Sequence, residues 1–324
     1  MVKVSLLFTS VFTLFMYMIP GFILRKTKLA DDGFAKALSL FTLYVAQVAM
    51  IFHGFLVEFD FKVLKGVALV FLLGLISHIV FYLLARMMFK KAPERTRKVL
   101  QFGVIFSNAG YMGIPVISDV FGSEYAIYAT IYVVWFNVFA YSLGRLIYTD
   151  DKSYISVKKI FINPAVVPIA IGLVIFLSGA GGWFINTMNQ STFLGETLSV
   201  VYKIIETFKN MVAPASMMVI GARLADISFK GILKDKYMYP FVLIRLLLFP
   251  AVMWVIMRLL FGIGFIDETV MSIVLILNST PAAAITTIFA ELYGGDSPYA
   301  GKLVALTTIL SVATMPLTAL LLKI

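Results

Sequence analysis

The residues most suited to bind a small polar ligand lie in one short stretch of an otherwise apolar segment. The stretch, residues 107–115, includes the amide of Asn108, the glycines Gly110 and Gly113, and Pro115. An amide both donates and accepts hydrogen bonds, and glycine lets the backbone approach a ligand closely. Proline inside a helix removes a hydrogen bond and disturbs the preceding turn. The chemistry indicated is reversible, non-covalent binding at a break in a helix.

The surrounding apolar segment, residues 99–121, is long enough to cross a bilayer. Broken backbone inside a membrane is tolerated only where protein or a water-filled cavity satisfies the freed polar groups. Two interpretations follow. The segment is either a discontinuous helix that forms a binding site near the middle of the membrane, as in transporters, or a kinked helix that serves packing alone.

A second stretch repeats this pattern later in the chain. It comprises Asn278, Ser279, Thr280 and Pro281, within the apolar segment 268–291. Two asparagine–proline interruptions in corresponding segments favour a shared binding site over two unrelated kinks.

The composition indicates the element type that must position these residues. Of 324 residues, 61% are hydrophobic and 14% are charged, and the mean hydropathy is +0.96. Long apolar runs without strand-like alternation predict a polytopic, all-α membrane protein. The chain has no cysteine, which excludes disulfides, thiolate catalysis and iron–sulfur ligation.

We predict ten membrane spans, at about 20 residues a crossing. The spans are 5–24, 34–56, 66–88, 99–121, 124–147, 163–179, 197–222, 238–262, 268–291 and 301–322. Basic residues cluster in the connections after spans 1, 3, 5 and 7, so these connections are predicted to be cytoplasmic and both termini to lie outside. The expected partner is therefore the lipid bilayer of the cell membrane, and the net charge of +10 does not indicate nucleic acid.

Each half has five spans, and because five is an odd number, the second half enters the membrane from the opposite side. The two halves therefore form an inverted repeat, in which the two broken spans occupy corresponding places. If the broken spans cross near the midplane, their half-helix N-termini attract an anion without a buried cation. A full cation at that depth is costly. For Arg245, seven residues into span 8, we therefore favour a side chain that reaches the cytoplasmic interface over one that balances an anionic substrate.

The motifs resemble those of a known family. Residues 108–115 are similar to the Asn-x-Gly-x-x-Gly-x-Pro segment of the auxin efflux carrier family, which includes plant PIN-FORMED auxin exporters and bacterial malate and malonate carriers. Three further segments resemble those of the family: Asn163 with Pro164, residues 214–224, and the Thr/Ser-rich residues 306–316. The resemblance covers nearly the whole chain.

The resemblance implies a ten-helix fold of two inverted five-helix repeats, shared with bile acid:sodium symporters and some sodium/proton antiporters. Residues 1–60 and 151–230 would form a scaffold domain that makes a homodimer. Residues 61–150 and 231–324 would form a transport domain that moves like an elevator. Its crossing helices 4 and 9 would hold a substrate carboxylate.

The expected substrate-binding residues combine both stretches with two more polar side chains. They are Gln47, Asn108, Gly110, Gly113, Pro115, Asn137, Asn278, Ser279, Thr280 and Pro281. Gln47 stands where many family members have a proline, and it either faces the substrate path or bonds a neighbouring helix. No cofactor or protein-bound metal is expected.

The coupling ion remains open between H⁺ and Na⁺. His53 and His78 are the only histidines, and either proton coupling or packing is consistent with them. Polar groups at the two stretches offer oxygens for sodium, but span 9 lacks the carboxylate that the bile acid symporters use.

The function indicated is secondary transport of a small organic anion, a mono- or dicarboxylate. The alternatives are sodium-coupled uptake of an amphipathic organic acid and an anion channel or sensor on the same fold. An enzyme is not indicated, because the chain has no His-Glu-x-x-His, Gly-x-Ser-x-Gly or P-loop motif.

Overall fold

The computed structural model describes residues 3–150, 166–227 and 234–322. These ranges are helical almost throughout, and their only extended pairing is an isolated bridge between Ser107 and Ala282. The prediction of an all-α membrane protein is therefore confirmed for the described residues. Asn163 and Pro164, which were predicted to begin span 6, lie outside them.

The helices follow the apolar segments of the sequence. The first part of the chain forms α1 (Val4–Met16), α2 (Met18–Lys26), α3 (Asp32–Phe41), α4 (Gln47–Phe55), α5 (Phe61–Met87), α6 (Glu94–Ile105), α7 (Ile114–Phe121), α8 (Ala126–Phe139) and α9 (Arg145–Thr149). The second part forms α10 (Val166–Leu177), α11 (Ala180–Met188), α12 (Phe193–Asn210), α13 (Val212–Ala225), α14 (Met238–Leu243), α15 (Phe249–Gly262), α16 (Glu268–Ser279), α17 (Ile285–Leu292) and α18 (Ser297–Leu321).

By length and composition, the described residues hold 6 helical segments able to cross a membrane. They are Val4–Lys26, Gly33–Phe55, Phe61–Met87, Ser123–Thr149, Met238–Gly262 and Ser297–Thr318. The pair α10 and α11, bent by 76°, brings the number to 7 if it is one span. Large apolar side chains such as Leu83, Val174 and Leu259 are exposed on the outer helices, as expected for a surface that faces lipid.

Three predicted spans do not appear as single apolar helices, for two different physical reasons. Spans 99–121 and 268–291 are each divided into two short helices at the polar stretches. Span 197–222 is divided at Met211, and its first part, α12, carries several charged residues. The count of ten spans accordingly stays a prediction.

Several long helices contain one widened π turn, and these turns converge on one region of the protein. They are Thr42–Ala46, Ala109–Gly113, Ala140–Gly144 and Ile244–Leu248. A π turn inserts one residue into a helix and re-aims the side chains around it, and such turns are frequent at functional sites. Thr42, Gly110 and Tyr141 from the first three turns line the same central cavity.

The helices α2 and α13 cross at backbone contact. A Cβ atom added to Gly21 would overlap the carbonyl of Met218, and one added to Gly221 would overlap the carbonyl of Met18. Membrane helices lack a hydrophobic force that draws them together, and small residues at the crossing allow close van der Waals packing instead. This contact joins the two parts of the predicted scaffold domain.

Replacing Gly221 by valine is expected to lower the stability of the protein by about 1–3 kcal/mol or more, because the added methyl groups force α2 and α13 apart. The measurement is the apparent melting temperature of the detergent-solubilised protein. The matched control is Gly262→Val at the end of α15, where an added Cβ meets no atom within 4 Å. Equal melting temperatures for the two variants would contradict the close packing.

Candidate functional site

The two interrupted spans meet where each loses its helical hydrogen bonding. The backbone N–H of Asn108 donates to the carbonyl of Pro281 at 2.8 Å, and the N–H of Ala283 donates to the carbonyl of Phe106 at 2.9 Å. The N–H of Ala282 donates to Oγ1 of Thr307 at 3.2 Å. Backbone groups freed by each break are therefore satisfied by the other break and by α18, as an apolar environment requires. We call residues 106–108 and 280–284 the crossing.

A buried arginine binds backbone carbonyls at and next to the crossing. The guanidinium of Arg245 donates to the carbonyl of Thr280 from Nε and Nη2 at 3.2 and 2.8 Å, to that of Asn278 at 2.7 Å, and to that of Val104 at 3.2 Å. These carbonyls belong to the C-terminal ends of α6 and α16, where the helix dipole favours a cation.

Arg245 is completely buried, so the prediction that its side chain reaches the cytoplasmic interface is wrong. The guanidinium binds these buried carbonyls and does not extend to the membrane interface. Without it, the carbonyls would have no partner in the apolar interior. A signal for this role was present in the sequence, since an arginine well inside an apolar span is costly unless it is paired within the protein.

The second polar stretch faces the interior of the helix bundle. The amide oxygen of Asn278 accepts a hydrogen bond from the hydroxyl of Tyr132 at 2.8 Å, and its Nδ2 donates to the carbonyl of Val274 at 2.8 Å. The hydroxyls of Ser279 and Thr280 donate to carbonyls of their own helix. These side chains and Pro281 are buried, and none of them is among the residues that line the central cavity.

The central cavity has a volume of about 670 Å³ and reaches the crossing from one side. Of the expected binding residues, Gln47, Asn108, Gly110 and Asn137 line it. The second interrupted span contributes Ala283, Ala284 and Ile285. The structure thus brings together four expected residues from the first half of the chain with backbone from the second half.

Two polar atoms at the inner end of the cavity are buried and have no hydrogen-bond partner among the described residues. They are Nδ2 of Asn108 and Oε1 of Gln47. A Cβ added to Gly110 would lie 3.9 Å from Nε2 of Gln47, so the Gln47 amide lies beside the first turn that follows Asn108. One atom is a donor and the other an acceptor. Leaving both unpaired in a buried site is costly, which indicates a polar ligand or water between them.

Gly113 and Pro115 serve the packing of the interrupted span. A Cβ added to Gly113 would lie 2.6 Å from the side chain of Leu277, so the glycine lets this turn approach α16. Pro115 lies in the first turn of α7, directly after the π turn Ala109–Gly113. Proline is tolerated in a first turn. The interruption therefore lies upstream of the proline, at residues 106–108.

The C-terminal and N-terminal helix ends at the crossing have different surroundings. The C-terminal ends of α6 and α16 point their carbonyls at Arg245, whereas the first turns after each break contribute Gly110, Tyr111 and Ile285 to the cavity lining. First-turn N–H groups have no carbonyl partner within their own helix and carry the positive end of the dipole. The inner end of the cavity is therefore suited to an anion.

The rim of the cavity carries charges of both signs. Arg25, Lys36, Arg145 and Arg223 line it together with Asp31, Asp226 and Glu291. Arg25 pairs with Asp226 at 2.8 Å. The guanidinium of Arg145 lies over the rings of Tyr141 and Tyr293, at 5.4 and 5.5 Å, and its Nε is buried without a partner among the described residues.

The two histidines lie outside the cavity lining. Nδ1 of His78 lies 2.7 Å from the carbonyl of Gly74, and its ring packs against Phe139 and Tyr132. Nε2 of His53 lies 3.1 Å from the hydroxyl of Tyr202 and 3.4 Å from Nζ of Lys209. His78 is thus a packing histidine bonded to backbone. The partners of His53 are side chains of α12.

An all-helical membrane fold with a deep cavity that ends at two interrupted helices is the architecture of a membrane transporter. Residues 6–319 match the family model described as membrane transport protein, and the chain belongs to that family. The resemblance to the auxin efflux carrier family is thereby confirmed. No curated protein matches the chain.

Replacing Tyr132 by phenylalanine is expected to destabilise the protein by about 1–3 kcal/mol, because it leaves the buried amide oxygen of Asn278 without its donor. Thermal unfolding in detergent measures the effect. The control is Tyr44→Phe, since Tyr44 is exposed and its hydroxyl forms no hydrogen bond with the described residues. The same loss in both variants would mean that the Tyr132 hydroxyl does not support the second interrupted span.

Proposed function

We propose that this protein is a secondary carrier that moves a small organic anion, a mono- or dicarboxylate, across the cell membrane. The observation that carries the proposal is the inner end of the central cavity. There Asn108, whose Nδ2 is unpartnered, lines the cavity together with residues of the first helical turns after both breaks. Among the described residues, the acidic side chains that line the cavity lie at its rim, so none opposes an anion at the inner end.

The proposed mechanism is elevator-like alternating access. The cavity has walls from both predicted domains, with Gln47 and Ser216 on the scaffold side and Asn108, Asn137 and Ala284 on the transport side. A ligand held by the transport side would travel with the crossing when that domain slides against the scaffold. The proposal includes two inverted five-helix repeats and a homodimer formed through the scaffold, both of which rest on the family resemblance.

The basic residues at the rim of the cavity indicate the side of the membrane to which the cavity opens. Arg25, Lys36, Arg145 and Arg223 lie in or next to connections that the positive-inside rule makes cytoplasmic. The cavity would therefore open to the cytoplasm, with both termini outside. In this conformation the carrier would bind or release its anion on the inner side.

Asn108→Ala is expected to weaken anion binding about 10- to 100-fold, which corresponds to one hydrogen bond to a charged group. Asn108→Asp is expected to abolish binding, because it places a negative charge where the carboxylate would sit. The measurement is a thermal-shift screen of carboxylic acids, followed by counterflow of the best ligand in proteoliposomes. A carrier accelerates exchange when ligand is present on both sides, whereas a channel does not.

The matched controls are Asn189→Ala and Asn189→Asp, since Asn189 is an exposed amide that donates to its own helix. Full binding and exchange by Asn108→Asp would overturn the proposed site. If the protein shows ligand-dependent stabilisation without trans-acceleration, the channel or sensor alternative gains support.

Arg145 offers a way to distinguish mono- from dicarboxylates. It lies two turns beyond Asn137 along α8 and its continuation, and its guanidinium is turned back over Tyr141. Arg145 and Asn108 line the same cavity, so a ligand with two carboxylates would place one at the inner end and the other near this guanidinium.

Arg145→Gln is expected to weaken succinate binding about tenfold, the scale of one hydrogen bond to a charged group, and to leave acetate binding unchanged. Ligand-dependent melting temperatures across a concentration series measure both affinities. Arg86→Gln is the control, because Arg86 also lies against a tyrosine ring but outside the cavity lining. An equal loss for both acids would show that Arg145 acts on overall charge and does not bind a second carboxylate.

A further inference from the structure

The guanidinium of Arg245 lies where carbonyl oxygens of two interrupted helices converge. It donates hydrogen bonds to the carbonyl of Val104 in one interrupted span and to those of Asn278 and Thr280 in the other. In transporters with discontinuous helices, the carbonyl ends of half-helices and unwound backbone are the groups that coordinate a coupling cation. At this crossing, those oxygens are already occupied by a side chain of the protein.

We propose that Arg245 is a tethered cation that takes the place of a dissociable coupling cation at the crossing, so that anion transport does not require sodium. The statement that transport does not require sodium rests on the proposed function. The statement that Arg245 occupies the place of a bound cation can be tested on the protein without any substrate.

The first supporting step is the number of oxygens that Arg245 engages. Arginine presents its donors in a planar fork and stays charged in proteins. Here Nε and Nη2 both bond the carbonyl of Thr280, while Nη1 and Nη2 reach Val104 and Asn278. A sodium ion prefers several oxygen ligands at once, and at these carbonyls it would lie directly beside the guanidinium that they already bind.

The second step is the local charge. Among the buried residues that the structure describes, Arg245 is the only Arg, Lys, Asp or Glu. A sodium ion next to it would meet an unscreened positive charge without a buried carboxylate to offset the repulsion. The carbonyl ends of α6 and α16 balance one cation through the helix dipole, and Arg245 already supplies that cation.

The third step is the polarity of the opposite face. The cavity side of the crossing is lined by residues of the first helical turns after the breaks, Gly110 and Ile285 among them, and by Asn108, whose Nδ2 is an unpartnered donor. The two faces of the crossing are therefore divided between a fixed cation and a site for an anion. Because the cation is part of the protein, the anion is the ligand that binds and dissociates.

The test begins with the wild-type protein. Its melting temperature is measured in sodium chloride and in potassium chloride of equal ionic strength, without substrate. Equal values at every concentration are expected, because a ligand that binds only the folded state raises the melting temperature with its concentration. Stabilisation specific to sodium would overturn the proposal, whatever the transport assays show.

Uptake of malonate or succinate into proteoliposomes is then compared with and without an inward sodium gradient. The same initial rate is expected, and a rate that depends on the sodium gradient would overturn the inference while leaving anion transport intact. If neither acid is transported, the proposed function loses support, but the melting measurements without substrate still decide whether a sodium site exists.

Arg245→Ala gives a readout that a purely structural arginine would not provide. The variant leaves converging carbonyls around an empty, cation-sized space, so millimolar guanidinium or sodium is expected to raise its melting temperature but not that of wild type. Arg86→Ala is the control. If Arg245→Ala is purified folded and neither cation stabilises it, the oxygens do not form a cation site and the proposal fails.

Arg245→Lys covers the case in which the alanine variant does not fold. Lysine keeps the charge as a compact ammonium with three donors. The variant is expected to be less stable than wild type and still insensitive to sodium, because a tethered cation remains at the crossing. Sodium-specific stabilisation of Arg245→Lys would contradict the inference.

Discussion

The interior of a bilayer offers no water to the backbone, so each polar group that an interrupted helix releases needs a partner within the protein. This constraint explains the crossing. The breaks exchange backbone hydrogen bonds between Asn108 and Pro281 and between Ala283 and Phe106, and Arg245 binds carbonyls at the C-terminal ends of the two preceding helices. Removing any one of these partners leaves a buried group unsatisfied.

The hydrogen bonds of Arg245 also place its positive charge on one side of the crossing and the cavity on the other. Arg245 binds the carbonyl ends of the first half-helices, and residues at the start of the second half-helices line the cavity. Widened turns in the surrounding helices aim Thr42, Gly110 and Tyr141 at the same space. A fixed positive charge behind the crossing and helix N-termini in front of it both favour an anion in the cavity.

Much of the fold could be predicted because membrane spans are local features of the sequence. Apolar length predicts a span, and clustered polar, glycine and proline residues predict where a span is broken. The interruptions accordingly overlap the two polar stretches, and the family prediction from residues 108–115 is confirmed. The position of each break was less accurate. Pro115 is accommodated by a π turn and a first helical turn, which depend on the backbone around it.

The sequence by itself determined the class of protein, its family and the two polar stretches, because composition and backbone-breaking residues act over short distances. Only the tertiary structure decided which polar groups are free. Asn108 and Asn278 occupy equivalent places in the sequence pattern, yet Tyr132 pairs the second while Nδ2 of the first has no partner among the described residues. Arg245 likewise changed from an expected interfacial residue to the buried cation of the crossing. The physical reason is that a partner for a buried polar group comes from another helix, and the rotation and packing of that helix are not encoded in any local pattern.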